Sequence, residues 1–272
     1  YEITDEMLEL VSEIMENLGK LSGVNELEKL PRLRRVSRIK SIHSSLAIEN
    51  NTLSIEQVTD VINGKRVLAP QKDIEEVHNA FNAYEKLSEI NPYSIDDLLK
   101  IHGIMMNGLV KEAGMLRSGQ VGVYNQDGKV VHLAPPADFV PQQLGQLFDW
   151  VKNSNANMLI KSSVFHYEFE FIHPFNDGNG RTGRLWQTAL LVSWKPIFAW
   201  IPIESIIKDN QEDYYNAITL STSQGKSNIF IEFMLDVINK AIKDIITDTR
   251  NHYNHINNQI TELMKVIESY PQ

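Results

Sequence analysis

The stretch His173-Pro174-Phe175-Asn176-Asp177-Gly178-Asn179-Gly180-Arg181-Thr182-Gly183-Arg184 constrains this chain more than any other feature. It joins two segments, 158–172 and 185–194, that are apolar enough on every side to read as the most buried helices of the protein. Gly178 and Gly180 allow backbone angles that a Cβ discourages, so successive N–H groups can turn toward an anion. A helix starting near Gly180 adds the positive end of its dipole at the same place. Arg181 and Arg184, at i and i+3, leave one face of that first turn and can reach more distant phosphates. Asp177 is free to hold a magnesium ion that bridges phosphate oxygens. His173, at the end of the preceding helix, has the pKa range of a general base. A Gly-rich turn between two helices would account for the glycines, but not for a histidine, a carboxylate and two arginines beside them.

The balance of charge narrows the partners. Asp and Glu outnumber Lys and Arg, 35 to 26, for a net charge of -9, which argues against nucleic acid or an anionic membrane surface. In a chain of 272 residues, 42% apolar and 22% charged is an ordinary soluble composition with room for one large domain or two small ones. There is no cysteine, so disulfides and thiolate metal sites are excluded, and a cytoplasmic protein is expected. No apolar run approaches the ~20 residues of a membrane span. The start, Tyr1-Glu2-Ile3-Thr4-Asp5, lacks the pattern of a signal peptide.

Helical periodicity dominates the rest. Thr4 and Asp5 cap a first helix ending near Gly19, and 33–50 reads as an amphipathic helix, basic at its start, with Ser45 and Glu49 on one face. Ser54 opens a short helix stopped by Asn63-Gly64, 71–89 forms a longer one, and Ser94 caps another bearing His102. His78 and His102 are expected at core or boundary positions. The one β signal is Val121-Gly122-Val123-Tyr124 and Lys129-Val130-Val131-His132-Leu133 around a turn at Asn125-Gln126-Asp127-Gly128. Two strands alone are marginal in water, so this pair must lean on helices. A helix then runs to about Asn153, and Pro196 and Pro202 mark a bend. Asp209 or Asn210 caps a helix bearing Tyr214 and Tyr215, and Asn228 opens a long run to about Ser269 with a break near Arg250-Asn251-His252. His252 and His255 read as a solvated face, not a metal site.

From His173 to Arg184 the chain resembles the signature of the Fic family, His-x-Phe-x-Asp/Glu-Gly-Asn-Gly-Arg-x-x-Arg, at every specified position. The resemblance implies an all-α fold, a Fic helical bundle with one β-hairpin flap. It also implies an enzyme that transfers AMP from MgATP to a Tyr, Thr or Ser hydroxyl of a protein. His173 is then the base and Asp177 the Mg²⁺ ligand. Gly178, Asn179, Gly180, Arg181 and Arg184 hold the nucleotide, and Phe175 anchors the loop. Ser45-x-x-x-Glu49-Asn50 resembles the family's inhibitory motif, in which the glutamate pairs with the second signature arginine, here Arg184, and acts in cis. Val121, Val123 and Val130 fall in the flap, where the resemblance implies that a segment of the target protein adds as a strand. By the same resemblance Tyr214, Tyr215 or Asn216 lies toward the base.

The organisation expected is an N-terminal helical region with the inhibitory motif (1–92), a Fic core (93–225) and a C-terminal helical extension (226–272). The winged-helix module that follows many such cores has no room before Gln272. The target is another protein or the chain itself, and helical faces allow a homodimer; no membrane or nucleic-acid partner is expected. Three other readings share the loop: transfer of a different phosphate-containing group, removal of AMP, and a nucleotide-gated binding module without turnover.

Overall fold

The computed structural model describes residues 1–23, 30–124 and 130–268. Among them the fold is helical. Its helices are α1 (Asp5–Gly23), α2 (Pro31–Ile48), α3 (Ile55–Ile62), α4 (Gln71–Glu85), α5 (Ile95–Met105), α6 (Val140–Asn153), α7 (Met158–Ile172), α8 (Asn179–Trp194), α9 (Ile203–Asp209), α10 (Gln211–Gln224) and α11 (Asn228–Glu268). Single 3₁₀ turns, Ala137–Phe139 and Pro196–Trp200, precede α6 and α9. Two short strands, β1 (Gly122–Tyr124) and β2 (Val130–Leu133), pair antiparallel with Val123 opposite His132 and a register shift after Val123. β2 lies beside α10. The turn expected at Asn125-Gln126-Asp127-Gly128 and the side chains of Val123 and Val130 fall outside the described residues, and Val121 is half-buried.

Side-chain caps set four of the described helix starts. Ser54 accepts from the Gln57 N–H while the Gln57 side chain accepts from the Ser54 N–H, a reciprocal capping box. Ser94 caps α5 through the Asp97 N–H, Asn157 caps α7 through the Leu159 N–H, and Thr4 accepts from the Met7 N–H. Several boundaries differ from the sequence expectation. α1 runs to Gly23 rather than Gly19 and α4 stops at Glu85 rather than near 89. α11 passes through residues 250–252 without a break. No proline or glycine lies there to interrupt the backbone bonding, so polar residues alone were a poor stop signal. Helix α9 was not anticipated, since seven residues between a proline and Asn210 give too short a period to read. Asn210 stands at the N-cap of α10, but its side chain turns back to the Ile206 carbonyl instead of capping.

α7 and α8 pack against each other at the centre and contribute to two apolar cores. On one side Phe165, Phe169, Leu185 and Trp186 meet residues of α2 to α6. On the other, Leu159, Val164 and Leu191 meet α1, α9, α10 and α11. α1 lies along α11, and α2 lies along α9. The arrangement suspends the α7–α8 turn from two helices that cannot shift without disturbing both cores. Their approach is closest at Gly183, where a Cβ would come within 2.8 Å of Glu170 Oε1 and 3.0 Å of the Phe169 ring. Gly183→Ala is therefore expected to lose about 1–3 kcal/mol of stability by overpacking; an unchanged denaturant midpoint would show that the α7–α8 contact has slack.

Candidate active site

The turn between α7 and α8 departs from ordinary backbone at both ends. His173, the C-cap of α7, is left-handed (φ 49), a conformation that costs a residue with a Cβ and persists only where its surroundings enforce it. Gly178, the N-cap of α8, also has a positive φ (83), and a Cβ there would strike the Met106 side chain. The helix expected near Gly180 thus begins at Asn179, and the free N–H groups of its first turn face the site.

Three side chains hold this turn from behind. Asn179 spans it, accepting from the Phe175 N–H (2.9 Å) and donating to the Phe175 carbonyl (2.8 Å). Phe175 is fully buried and stacks on His102, with ring centroids 3.6 Å apart and planes within 4°. His102 accepts at Nδ1 from the Gly114 N–H (2.9 Å), which leaves Nε2 to donate to the Asp177 carbonyl (2.9 Å). Burial lowers its pKa and keeps the ring neutral in that role. His102 was expected only to fill the core, and no spacing in the sequence could have tied it to Asp177. His78, by contrast, is exposed, not a boundary residue.

Arg117 was also missed. It is 3% exposed, yet its guanidinium meets only carbonyl oxygens: His173 (2.7 Å), Ile172 (3.2 Å), Gly119 (2.9 Å) and Pro135 (2.6 Å). Its backbone N–H donates to the Pro174 carbonyl (2.9 Å). The cation thus sits at the negative end of α7 and ties that end to both flanks of the strand pair.

The two signature arginines reach different carboxylates. Arg184 is 2% exposed and donates from Nη2 to Glu49 Oε1 (2.8 Å) and the Ser45 carbonyl (2.9 Å), and from Nε to Ser45 Oγ (3.1 Å). Burial lowers its proton affinity, but Glu49, through its charge and hydrogen bond, together with Tyr214 and Tyr215, raises it above the ordinary value. Glu49 is the C-cap of α2, followed by a left-handed Asn50. Its carboxylate lies over the first turn of α8, so close that a Cβ at Gly180 would collide with Oε1. The absence of a side chain at Gly180 is what lets an anion rest there. Arg181, also buried, bonds Glu76 Oε1 (3.1 Å) and Asp177 Oδ1 (3.1 Å). Its guanidinium thus meets two carboxylates of the protein through its Nη atoms, while its buried Nε has no hydrogen-bond partner.

Asp177 accepts from its neighbour Gly178 N–H (2.6 Å) and from Arg181, and its side chain is half exposed. No group of three or more His, Cys, Asp or Glu side chains able to hold a metal occurs among the described residues. A single exposed carboxylate does suit Mg²⁺, which keeps water and substrate phosphates as most of its ligands. Tyr214 is buried with its hydroxyl on His166 Nε2 (3.1 Å), Tyr215 is half-buried and Asn216 is exposed.

A model of the Fic/DOC family matches residues 92–191. A solved Fic family protein from Desulfovibrio desulfuricans G20 is 48% identical, with a TM-score of 0.89 over 92% of this chain and 76% of that one. The chain belongs to the Fic family. Relatives named protein adenylyltransferase include Fic of Nematostella vectensis, 28% identical over 76% of this chain and 48% of its own length. Another is fic-1 of Caenorhabditis elegans, 27% identical over 71% of this chain and 38% of its own. The chain therefore spans less than half the length of these two relatives. No described helix is long and apolar enough to cross a membrane.

The bonding of Arg117 yields a test. Arg117→Lys keeps the charge but cannot reach carbonyls in four directions. It should cost about 2 kcal/mol or more and speed amide exchange across 172–175; a native exchange pattern in that variant would remove Arg117 from the support of the turn.

Proposed function

We propose that this Fic protein is a protein adenylyltransferase held back in cis by Glu49. The observation that carries the reading is the Glu49 carboxylate over Gly180, bonded to Arg184. An anion already rests at the helix N-terminus that would receive a nucleotide phosphate. On this reading the γ-phosphate of ATP and Glu49 compete for one guanidinium fork, and the remaining phosphates lie along the N–H groups of Gly178, Asn179 and Gly180.

The reaction then follows from the residues. His173 takes the proton of a Tyr, Thr or Ser hydroxyl as that oxygen bonds to the α-phosphorus; the bond from phosphorus to the bridging oxygen breaks, and pyrophosphate leaves. Asp177 would hold Mg²⁺, which when bound neutralises charge on the phosphate oxygens. Arg181 adds its charge beside Asp177, and Phe175 keeps the turn in place. The edge of the β1–β2 pair offers backbone groups for an extended segment of the target to add as a strand, at Val121, Val123 and Val130. Residues 1–92 supply the inhibitory motif, 93–225 the catalytic part.

Intact-mass analysis after incubation with MgATP tests this. An AMP-sized addition is expected, larger in Glu49→Gly by about 30- to 150-fold, the range that a lost contact of roughly 2–3 kcal/mol corresponds to. Equal addition in both proteins would leave the transferase standing and discard inhibition through Glu49. An addition of another mass would reassign the donor, and a thermal shift with ATP but no product would favour a binding module. His173→Ala should lose transfer while keeping the wild-type unfolding midpoint; modification at the wild-type rate would sink the assignment of the base.

A further inference from the structure

We propose that Glu170 is the positioning residue behind His173: its carboxyl faces ring Nδ1 and favours the tautomer with its lone pair on Nε2, the form that can receive the acceptor's proton, and, once ionised, it stabilises the imidazolium that forms. The inference rests on His173 being the base. Glu170 lies one turn earlier on α7 and is 6% exposed. Its Oε2 is 3.9 Å from His173 Nδ1, and its own carbonyl oxygen is 3.4 Å from the same nitrogen. A carbonyl oxygen can only accept, so the backbone already favours a proton on Nδ1, and a carboxylate adds to that preference. That separation exceeds the roughly 2.6–3.2 Å of a catalytic hydrogen bond, a contact that commonly tightens only once substrate is bound.

Among the described residues nothing else satisfies this acid. Oε1 is buried with no hydrogen-bond partner, 4.0 Å from His166 Nε2. A buried carboxyl with an orphaned oxygen costs stability, and an apolar residue would pack the same space without that cost. His166 cannot be its counter-ion. That ring is held between Gln187 Oε1 (2.6 Å) and the Tyr214 hydroxyl (3.1 Å), and burial pulls its pKa down to about 3.

Among the described residues, the charged and titratable groups around Glu170 are His166 on its own helix and His173 at that helix's C-cap, Arg184 on α8, Glu49 at the end of α2, and Tyr214 and Tyr215 on α10. Burial pushes the Glu170 pKa up to about 8; Arg184 opposes the rise and Glu49 adds to it. At neutral pH the carboxyl is therefore mostly protonated, and it ionises as pH rises through that value. Once ionised it favours the protonated form of His173, so transfer should gain on the alkaline side and lose that gain as pH falls.

Nitrogen-15 titration of the histidine rings in the full chain, over about pH 5 to 10, reads the pair directly. The wild-type His173 is expected to show a component near 8. Glu170→Gln, which has the shape of the neutral acid, should abolish that component and leave the titration at lower pH unchanged. In a Glu49→Gly background the same replacement should lower kcat about tenfold on the alkaline side, where the wild-type carboxyl is ionised, and little at neutral pH, with the KM for ATP unchanged. A single wild-type titration of His173 at or below about 6.5 would overturn the proposal without any variant. So would identical titrations in the two proteins, whatever their activity. The ring titration needs no turnover, so a protein that transfers nothing can still support the pairing, and an active enzyme with unlinked titrations would keep its function and lose this residue.

Discussion

Burying the guanidinium of Arg184 is the constraint to which the rest of the site answers. An arginine 2% exposed between helices must keep an anion or several acceptors against it, because removing one partner of a buried pair costs about 3–5 kcal/mol. Ser45 gives two acceptors and Glu49 gives the charge. The position of α2 follows, since Ser45 and Glu49 must reach across to α8 from one face. Gly180 follows too, because the carboxylate occupies the volume of its missing side chain. A site that demands an anion in the resting state also demands one when that anion leaves, and a nucleotide phosphate is the substitution the proposed function makes.

The turn that carries the chemistry is held by different means. His102, Asn179 and Phe175 fix it through neutral bonds and stacking, and Arg117 offers a cation only to carbonyl oxygens. None of these competes for phosphate. The division matters, because a loop braced by the same charges that bind the ligand would loosen each time the ligand arrived. The left-handed backbone at His173 is tolerable only with such bracing, and it carries the imidazole past the end of α7.

Much of this was legible in the sequence for a definite reason. The glycines, the arginines and His173 stand within one continuous stretch, so their spacing could be read, and helical period placed α7 and α8 around it. The pairing of Glu49 with Arg184 joins residues far apart in sequence; a family motif pointed to it, and no local rule would have done so. What escaped were long-range partners with no spacing of their own: His102 under Asp177, Arg117 under His173, Glu76 on Arg181. Arg181 is the instructive case. Its place at i−3 from Arg184 suggested a shared task, whereas an acid on α4 claims its guanidinium. The short α9 escaped for a different reason, as two turns between breakers leave no period to detect.

The anchoring of α2 limits how the proposed inhibition could be relieved. Away from the site the helix is bound to α9 by Ser41 on Glu204 Oε2 (2.8 Å) and by Ser44 against Ser205 (3.2 Å). Arg38 adds contacts over the rings of Tyr84 and Trp200. Glu204 also accepts from the Tyr84 hydroxyl (2.7 Å), so α2, α4 and α9 are joined at one buried carboxylate. None of these contacts involves Glu49. Withdrawing Glu49 would leave Arg184 its two Ser45 acceptors and leave the helix where it is. Glu49 sits at the C-cap, where its side chain is partly exposed and the next residue already turns out of the helix. Rotating that one side chain costs far less than lifting a helix off a buried network. On the proposed reading, the Glu49–Arg184 contact would yield by rotamer, with α2 itself a fixed wall of the site.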